Sequence, residues 1–322
     1  MGSTGFIHAI ELDGKGGGRL LQERQVRASV KQEGVTWLHL DRTAPDAQRW
    51  IREEAGLDSV ACNALLATET RPRCVAFAEG LLVILRGINL NPGQDPEDMI
   101  SLRIWVDEKR VLTLRSTPML AASDVLMSLE KGAGPRNAGD FLLHIVERLS
   151  DRMDPVIDDL DEQIEMIYEH KEKDWEVLRD NLSTLRRQIV TLRRHIAPQR
   201  EVLAELQLQN LPWLTRQHKI HLREAGDRLH RFVEDLDATR AHSAIAQDDL
   251  ASHFSDRLNR KMYLLAILTG IFLPLGFFTG LLGVNLGGIP GGTHPYAFPA
   301  FCAILALVVG VQIYIFKKIK LL

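Results

Sequence analysis

The residues best suited to chemistry sit in a short connection between two uncharged stretches. It reads Gly283-Val284-Asn285-Leu286-Gly287-Gly288-Ile289-Pro290-Gly291-Gly292-Thr293-His294-Pro295-Tyr296 and holds no Asp, Glu, Lys, Arg or Cys. Asn285 offers a side-chain amide oxygen and a backbone carbonyl, hard ligands suited to a divalent ion or to its hydration shell. His294 is the one side chain there that titrates near neutrality; in a ring of copies it could capture Zn2+ or sense protons near its ordinary pKa of ~6.5. Backbone this rich in Gly and Pro (Gly283, Gly287, Gly288, Pro290) is tolerated at membrane depth only where protein buries it or it lines water.

The flanks set that depth. Met262–Leu282 is 21 residues without a charge and Ala297–Phe316 is 20. About 20 apolar residues cross a ~30 Å hydrocarbon layer, so each stretch spans once. Residues 262–322 contain no acid and three lysines, which leaves 36 Lys+Arg against 42 Asp+Glu, a net −6, in the first 261 residues. Arg257, Arg260 and Lys261 precede the first span and Lys317, Lys318 and Lys320 follow the second, while the connection has no Lys or Arg. The positive-inside rule therefore expects both termini in the cytoplasm and residues 283–296 outside. An acidic soluble part excludes a nucleic-acid partner on electrostatic grounds.

If Asn285 lies on a symmetry axis, helical spacing carries the same face back through Gly280, Gly276, Leu273, Thr269, Ala266, Met262 and Asn259. That stripe is small, apolar or neutral. It reads as pore lining, with Leu273 and Met262 as constrictions and Asn259 as a cytoplasmic polar ring. Packing of small residues between membrane helices is the competing reading. Two spans cannot enclose a pore, so a pore needs several copies. A further charge feature is an acid run: Asp151, Asp154, Asp158, Asp159, Asp161, Glu162, Glu165 and Glu169, with Arg152 among them. It reads either as a solvated helix face or as an electrostatic funnel that concentrates divalent cations.

These residues need elements to position them. Residues 1–116 read as a mixed α/β domain. Val35–Asp41, Cys74–Leu90 and Ile100–Ser116 carry strand-type residues, the last two interrupted by hairpin turns, and Pro45–Gly56 and Asp58–Thr68 have helical spacing. The Gly14–Gly18 run lacks a phosphate-loop pattern and reads as a turn. Residues 117–261 read as long helices: one starting at the N-cap Asn137 and kinked at Pro155, one capped by Asp174, and a third in a stretch, Trp213–Leu273, without proline for 61 residues. As one helix the last would measure ~90 Å and run into the first span. Residues 262–322 form the two-span domain. Cys62, Cys74 and Cys302 form no CxxC pair, which excludes a disulfide scaffold and a thiolate zinc site. No Ser-His-Asp, HExxH or Walker pattern supports an enzyme.

Gly283-Val284-Asn285 resembles the GMN signature of the CorA-type metal ion transporters. The longer GVNLGGIPG resembles that of their zinc-transport branch, ZntB, and follows the first of two C-terminal spans as it does there. RPRC, LLVILRGIN, ISLRIWVDEKRVLTLR, LRRQIVTLRRHIAPQRE and the terminal KKIKLL are similar to family segments as well. The resemblance implies an α+β cytoplasmic domain of αβα type, long helices continuing into the two-span domain, and a funnel-shaped homopentamer in the inner (plasma) membrane. It also implies a pore-lining first span, Zn2+ as the transported ion, H+ as a co-substrate and no cofactor. The chain departs from the magnesium branch at Val284, at Leu282 where Tyr is usual, and at Gly291 where an acid stands. A loop without carboxylate attracts hydrated Mg2+ less and favours the zinc branch. A Mg2+, Co2+ or Ni2+ channel of the same architecture and a membrane-anchored coiled-coil scaffold are the alternatives.

Overall fold

The computed structural model describes residues 5–22, 34–169, 175–283 and 295–318. It divides into two compact units, Met1–Gln247 and Asp248–Leu322. The first is built on a sheet of seven strands: β1 (Phe6–Leu12), β2 (Gly18–Leu20), β3 (Thr36–Asp41), β4 (Arg73–Ala76), β5 (Leu81–Gly87), β6 (Ile100–Val106) and β7 (Arg110–Arg115), in the order β2-β1-β3-β7-β6-β5-β4. Only β3 and β7 pair in parallel. The strands expected from sequence are present, and both expected hairpins close as antiparallel pairs, β4–β5 and β6–β7. The glycine run is a turn as expected: Asp13 Oδ1 accepts the backbone N–H of Lys15 at 2.7 Å and of Gly17 at 2.9 Å, with Gly14 and Gly16 at positive φ. β1 and β2 are not among the strands expected from sequence; β2 is three residues long and exposed throughout.

Alternation splits the sheet between two helical layers. Leu38, Leu40, Ile84, Trp105, Leu112 and Leu114 pack with Trp50 and Ile51 of α1 (Pro45–Glu53) and Leu65 of α2 (Ser59–Leu66). Trp37 and His39, one residue out of step, serve the other face. The Trp37 ring meets Phe141 at 4.9 Å, and its indole N–H donates to Thr113 Oγ1 at 2.8 Å, so the buried polar atom is satisfied. This face is covered by α4 (Ala138–Glu169) and α5 (Trp175–Leu208), with α3 (Leu120–Glu130) packed on α4; the next helix, α6, runs Arg216–Gly283. A Cβ on Gly87 would stand 2.6 Å from Leu149 Cδ2, so glycine there lets α4 approach β5 closely. The αβα layering implied by the resemblance is what the chain adopts.

The long helices follow a 3.5-residue repeat. Buried positions on α5 run Leu178, Leu182, Leu185, Ile189, Leu192, Ile196, Gln199, Leu203 and Leu206; on α6 they run His218, Leu222, Ala225, Leu229, Phe232, Leu236, Thr239, Ser243 and Ala246. Steps of four and three alternate without a break, the pattern that keeps one seam facing a neighbouring helix. Asn137 Oδ1 accepts the N–H of Asp140 at 2.9 Å, as a helix-starting residue should. Pro155 lies inside α4, which continues past it; the expected cap Asp174 lies outside the described residues. The uninterrupted third helix is present as α6 and extends through Pro274 to Gly283.

Candidate ion pathway

The second unit contains the end of α6 and α7 (Ala297–Lys318), the two helices long and apolar enough to cross a membrane. Their exposure is patterned. Along α6, Ile267, Gly270, Ile271, Pro274 and Phe278 are half-buried, and along α7 so are Phe301, Leu305, Val308, Gln312 and Phe316. Each set is one helical face, and the two faces meet. Phe316 stands against Gly270, where an added Cβ would lie 2.9 Å from its ring. Gln312 Nε2 donates to the Gly270 carbonyl at 3.0 Å.

That last bond has a cause in the sequence. A helical proline has no N–H, so Pro274 leaves the carbonyl four residues earlier, that of Gly270, without its intrahelical donor. In a bilayer no water replaces it, and a neighbouring helix must. Gln312 does so. Sequence reading passed over this pair, although a proline in one span and a glutamine in the other were visible signals.

The stripe read from sequence as pore lining lies on the other side of α6. At ~100° per residue, Asn259, Met262, Ala266, Thr269, Leu273, Gly276 and Gly280 centre about 130° from the face that α7 covers. All seven are exposed in the single chain. Gly276 and Gly280 have open space where a Cβ would be, and the Thr269 hydroxyl donates back to the Leu265 carbonyl at 2.8 Å. Gly283 is the last residue of α6. Val284, Asn285, Gly287, Gly288, Pro290 and His294 lie outside the described residues.

The acid run behaves unevenly. Arg228 of α6 bonds Asp151 at 2.6 Å and Asp154 at 2.9 Å, so this end is largely neutralised. Asp159 accepts from Gln163 at 2.6 Å, and Asp161 takes the Thr239 hydroxyl at 3.3 Å with His242 at 3.7 Å. Asp158, Glu162 and Glu165 are exposed; the side chain of Glu169 is not among the described ones. Folding adds acids that sequence proximity hides. Burial and then the nearby Asp158 and Glu234 raise the Asp235 carboxyl above its ordinary value. Asp158 of α4 thus lies close to Glu234 and Asp235 of α6, a grouping of acids that two helices contribute together. Among the described residues no group of three or more His, Cys, Asp or Glu side chains is placed to hold a metal ion. The two cysteines of the first unit are buried, with the Cys74 thiol pushed up to about 12 by burial and by Glu205. Neither is a thiolate.

Comparison with known proteins agrees with this architecture. A family model described as CorA-like Mg2+ transporter protein matches residues 32–318. The divalent cation transporter CmaX of Pseudomonas aeruginosa is 41% identical over 320 residues, covering 98% of this chain and 96% of the relative. The zinc transport protein ZntB of Pectobacterium carotovorum subsp. carotovorum is 36% identical over 317 residues, covering 98% and 96%. A solved structure of full-length CmaX superposes with a TM-score of 0.86 at 39% identity, covering 99% of each chain. Two apolar helices at the end of an αβα unit, with identity sustained over nearly the whole length, identify this chain as a member of the CorA family of divalent cation transporters and not an enzyme.

Proposed function

We propose that this protein moves Zn2+ across the inner (plasma) membrane through a pore lined by the first span of five identical chains. The observation that carries the reading is the uncharged stripe from Asn259 to Gly280, left uncovered on the face of α6 opposite α7. A second span that occupies only one face leaves the other for copies of the same helix around an axis. The family supports ion transport over the scaffold reading, and the ZntB relatives support zinc.

Zinc favours nitrogen and sulfur ligands at tetrahedral sites, and the first span supplies neither. The ion therefore passes with its water, recognised by a ring of Asn285 amides and carbonyls, because conduction needs binding weak enough to release. His294 is the external group that adds pH sensitivity, and H+ enters as the co-substrate by family resemblance. The acids around Asp158 and Asp235 raise the local cation concentration on the cytoplasmic side, with both termini cytoplasmic. A Mg2+, Co2+ or Ni2+ channel is the second reading, favoured by the family description and by CmaX. Proteoliposomes loaded with a zinc indicator, with and without a pH gradient, test both. Zinc flux that exceeds Mg2+ flux and responds to the gradient is expected; Mg2+ flux exceeding zinc flux overturns the assignment.

A further inference from the structure

A cavity of about 780 Å³ opens between the β4–β5 edge of the sheet and α5, and its charge is opposite to that of a transported cation. Arg71, Arg73, Arg86 and Arg194 line it, against a single carboxylate, Glu69. Among the described residues none of the four arginines forms an ion pair. Arg86 is fixed by carbonyls alone: Nη1 donates to Met99 O at 2.7 Å and Nη2 to Thr70 O at 2.8 Å, while its Nε is buried without a partner. Carbonyls orient a guanidinium but do not cancel its charge. Just behind, Gln199 is 2% exposed; its Oε1 accepts the Arg86 backbone N–H at 2.8 Å, and its Nε2 has no partner. Four guanidinium groups against one carboxylate leave the cavity with a net positive charge that an anionic ligand would balance.

The local field agrees. Burial, then Arg86 and Arg194, push the His195 imidazole down to about 4, so it stays neutral. Burial, then Arg42, Arg86 and Arg73, take Arg103 down to about 10. Guanidinium forks match phosphate oxygens in pairs. The cavity is several times the size of one phosphate, and its walls hold two prolines (Pro72, Pro198) and the His195 imidazole but no Phe, Tyr or Trp ring to stack a base.

We propose that this pocket binds a small phosphate-type polyanion of the pyrophosphate class, tying the β4–β5 edge to α5 through Arg71, Arg86 and Arg194. The site is independent of the ion pathway and of which cation is carried. Calorimetric titration of the full-length protein in detergent at low ionic strength tests it, with pyrophosphate as the probe and inorganic phosphate and ADP as comparison arms. Pyrophosphate is expected to bind, inorganic phosphate more weakly and ADP no more tightly than pyrophosphate. Arg71 and Arg194 are exposed, so Arg71→Ser with Arg194→Gln is expected to weaken binding at least ten-fold with circular dichroism and oligomeric mass unchanged. Arg194→Lys, which keeps the charge and loses the fork, should fall between. Absence of pyrophosphate binding, equal binding by the double variant, or ADP binding ten-fold tighter than pyrophosphate would each overturn the assignment. So would a change in oligomeric mass in the double variant, which would make a neighbouring chain the occupant.

Discussion

The two units solve the same problem with different solvents. In Met1–Gln247 the apolar residues of the sheet pack inside the chain, and Trp37, Leu40, Ile51, Leu81, Leu102, Trp105 and Phe141 are all sealed. In Asp248–Leu322 no residue of the second span is buried, and the first is covered on one face only. Apolar burial against water drives the first unit. The second has no such force, since lipid is as apolar as leucine; there it is unpaired polar backbone that must find a partner. One glutamine bonding one orphaned carbonyl therefore matters in the spans more than a similar pair would on the surface of the sheet unit.

The largest expected effect breaks the comparison at its functional end. Asn285→Ala removes an oxygen from every copy at once and keeps the backbone, so selective zinc flux into liposomes should vanish while oligomeric mass is retained. His294→Ala should change mainly the pH dependence of flux. If Asn285→Ala transports as well as the parent and His294→Ala does not, the selectivity site has been misassigned.

A matched pair of truncations sharpens the contrast. Trp37→Ala opens a cavity beside Phe141 and leaves Thr113 without its indole donor; it should cost about 3–5 kcal/mol in chemical denaturation of the full chain. Leu273→Ala removes a comparably large apolar side chain that is 67% exposed. It should change stability by under about 1 kcal/mol, as for an exposed site, and raise ion leak instead. Similar destabilisation by both would place Leu273 in a packed interface.

Smaller but more diagnostic is the polar contact of the spans. Gln312→Leu should destabilise by about 1–2 kcal/mol in a detergent-melting series, in the range measured for membrane hydrogen bonds. Adding Pro274→Ala restores an N–H to the Gly270 carbonyl and should recover most of the loss. A double variant no better than Gln312→Leu alone would mean that Gln312 acts through packing.

The gentlest probe is pH. Burial, then Arg115 and His8, hold His39 down to about 3, and its Nδ1 sits 2.7 Å from Thr113 Oγ1. Its folded pKa lies below the unfolded value near 6.5, so between about 3 and 6.5 only the unfolded chain takes the proton. Its contribution to stability is full above pH 6.5 and declines as pH falls, by up to about 1.4 kcal/mol per pH unit, until it levels off near pH 3. His39→Gln should flatten that part of the stability profile for the sheet unit. An unchanged slope would assign the acid sensitivity elsewhere.

Much was legible because it rests on local patterns. Two uncharged runs of spanning length, strand residues bounded by turns, Asn137 as a cap and proline-free helical stretches are all short-range signals, and each appears where the spacing put it. Spacing also puts Asn259 to Gly280 on one helix face, since one helix determines its own faces; their role in a pore stays a proposal. β2 was not legible, because a three-residue exposed strand has no alternation to detect. What only the tertiary structure decided is which distant groups meet: Arg228 taking Asp151 and Asp154 out of the acid run, Glu234 and Asp235 joining Asp158, Gln312 answering Pro274, and four arginines from β4 and the segment before it, β5 and α5 sharing one cavity. Charge and hydrogen-bond partners act through space over a few ångströms, and between residues 40 to 120 positions apart only the packed fold sets that distance.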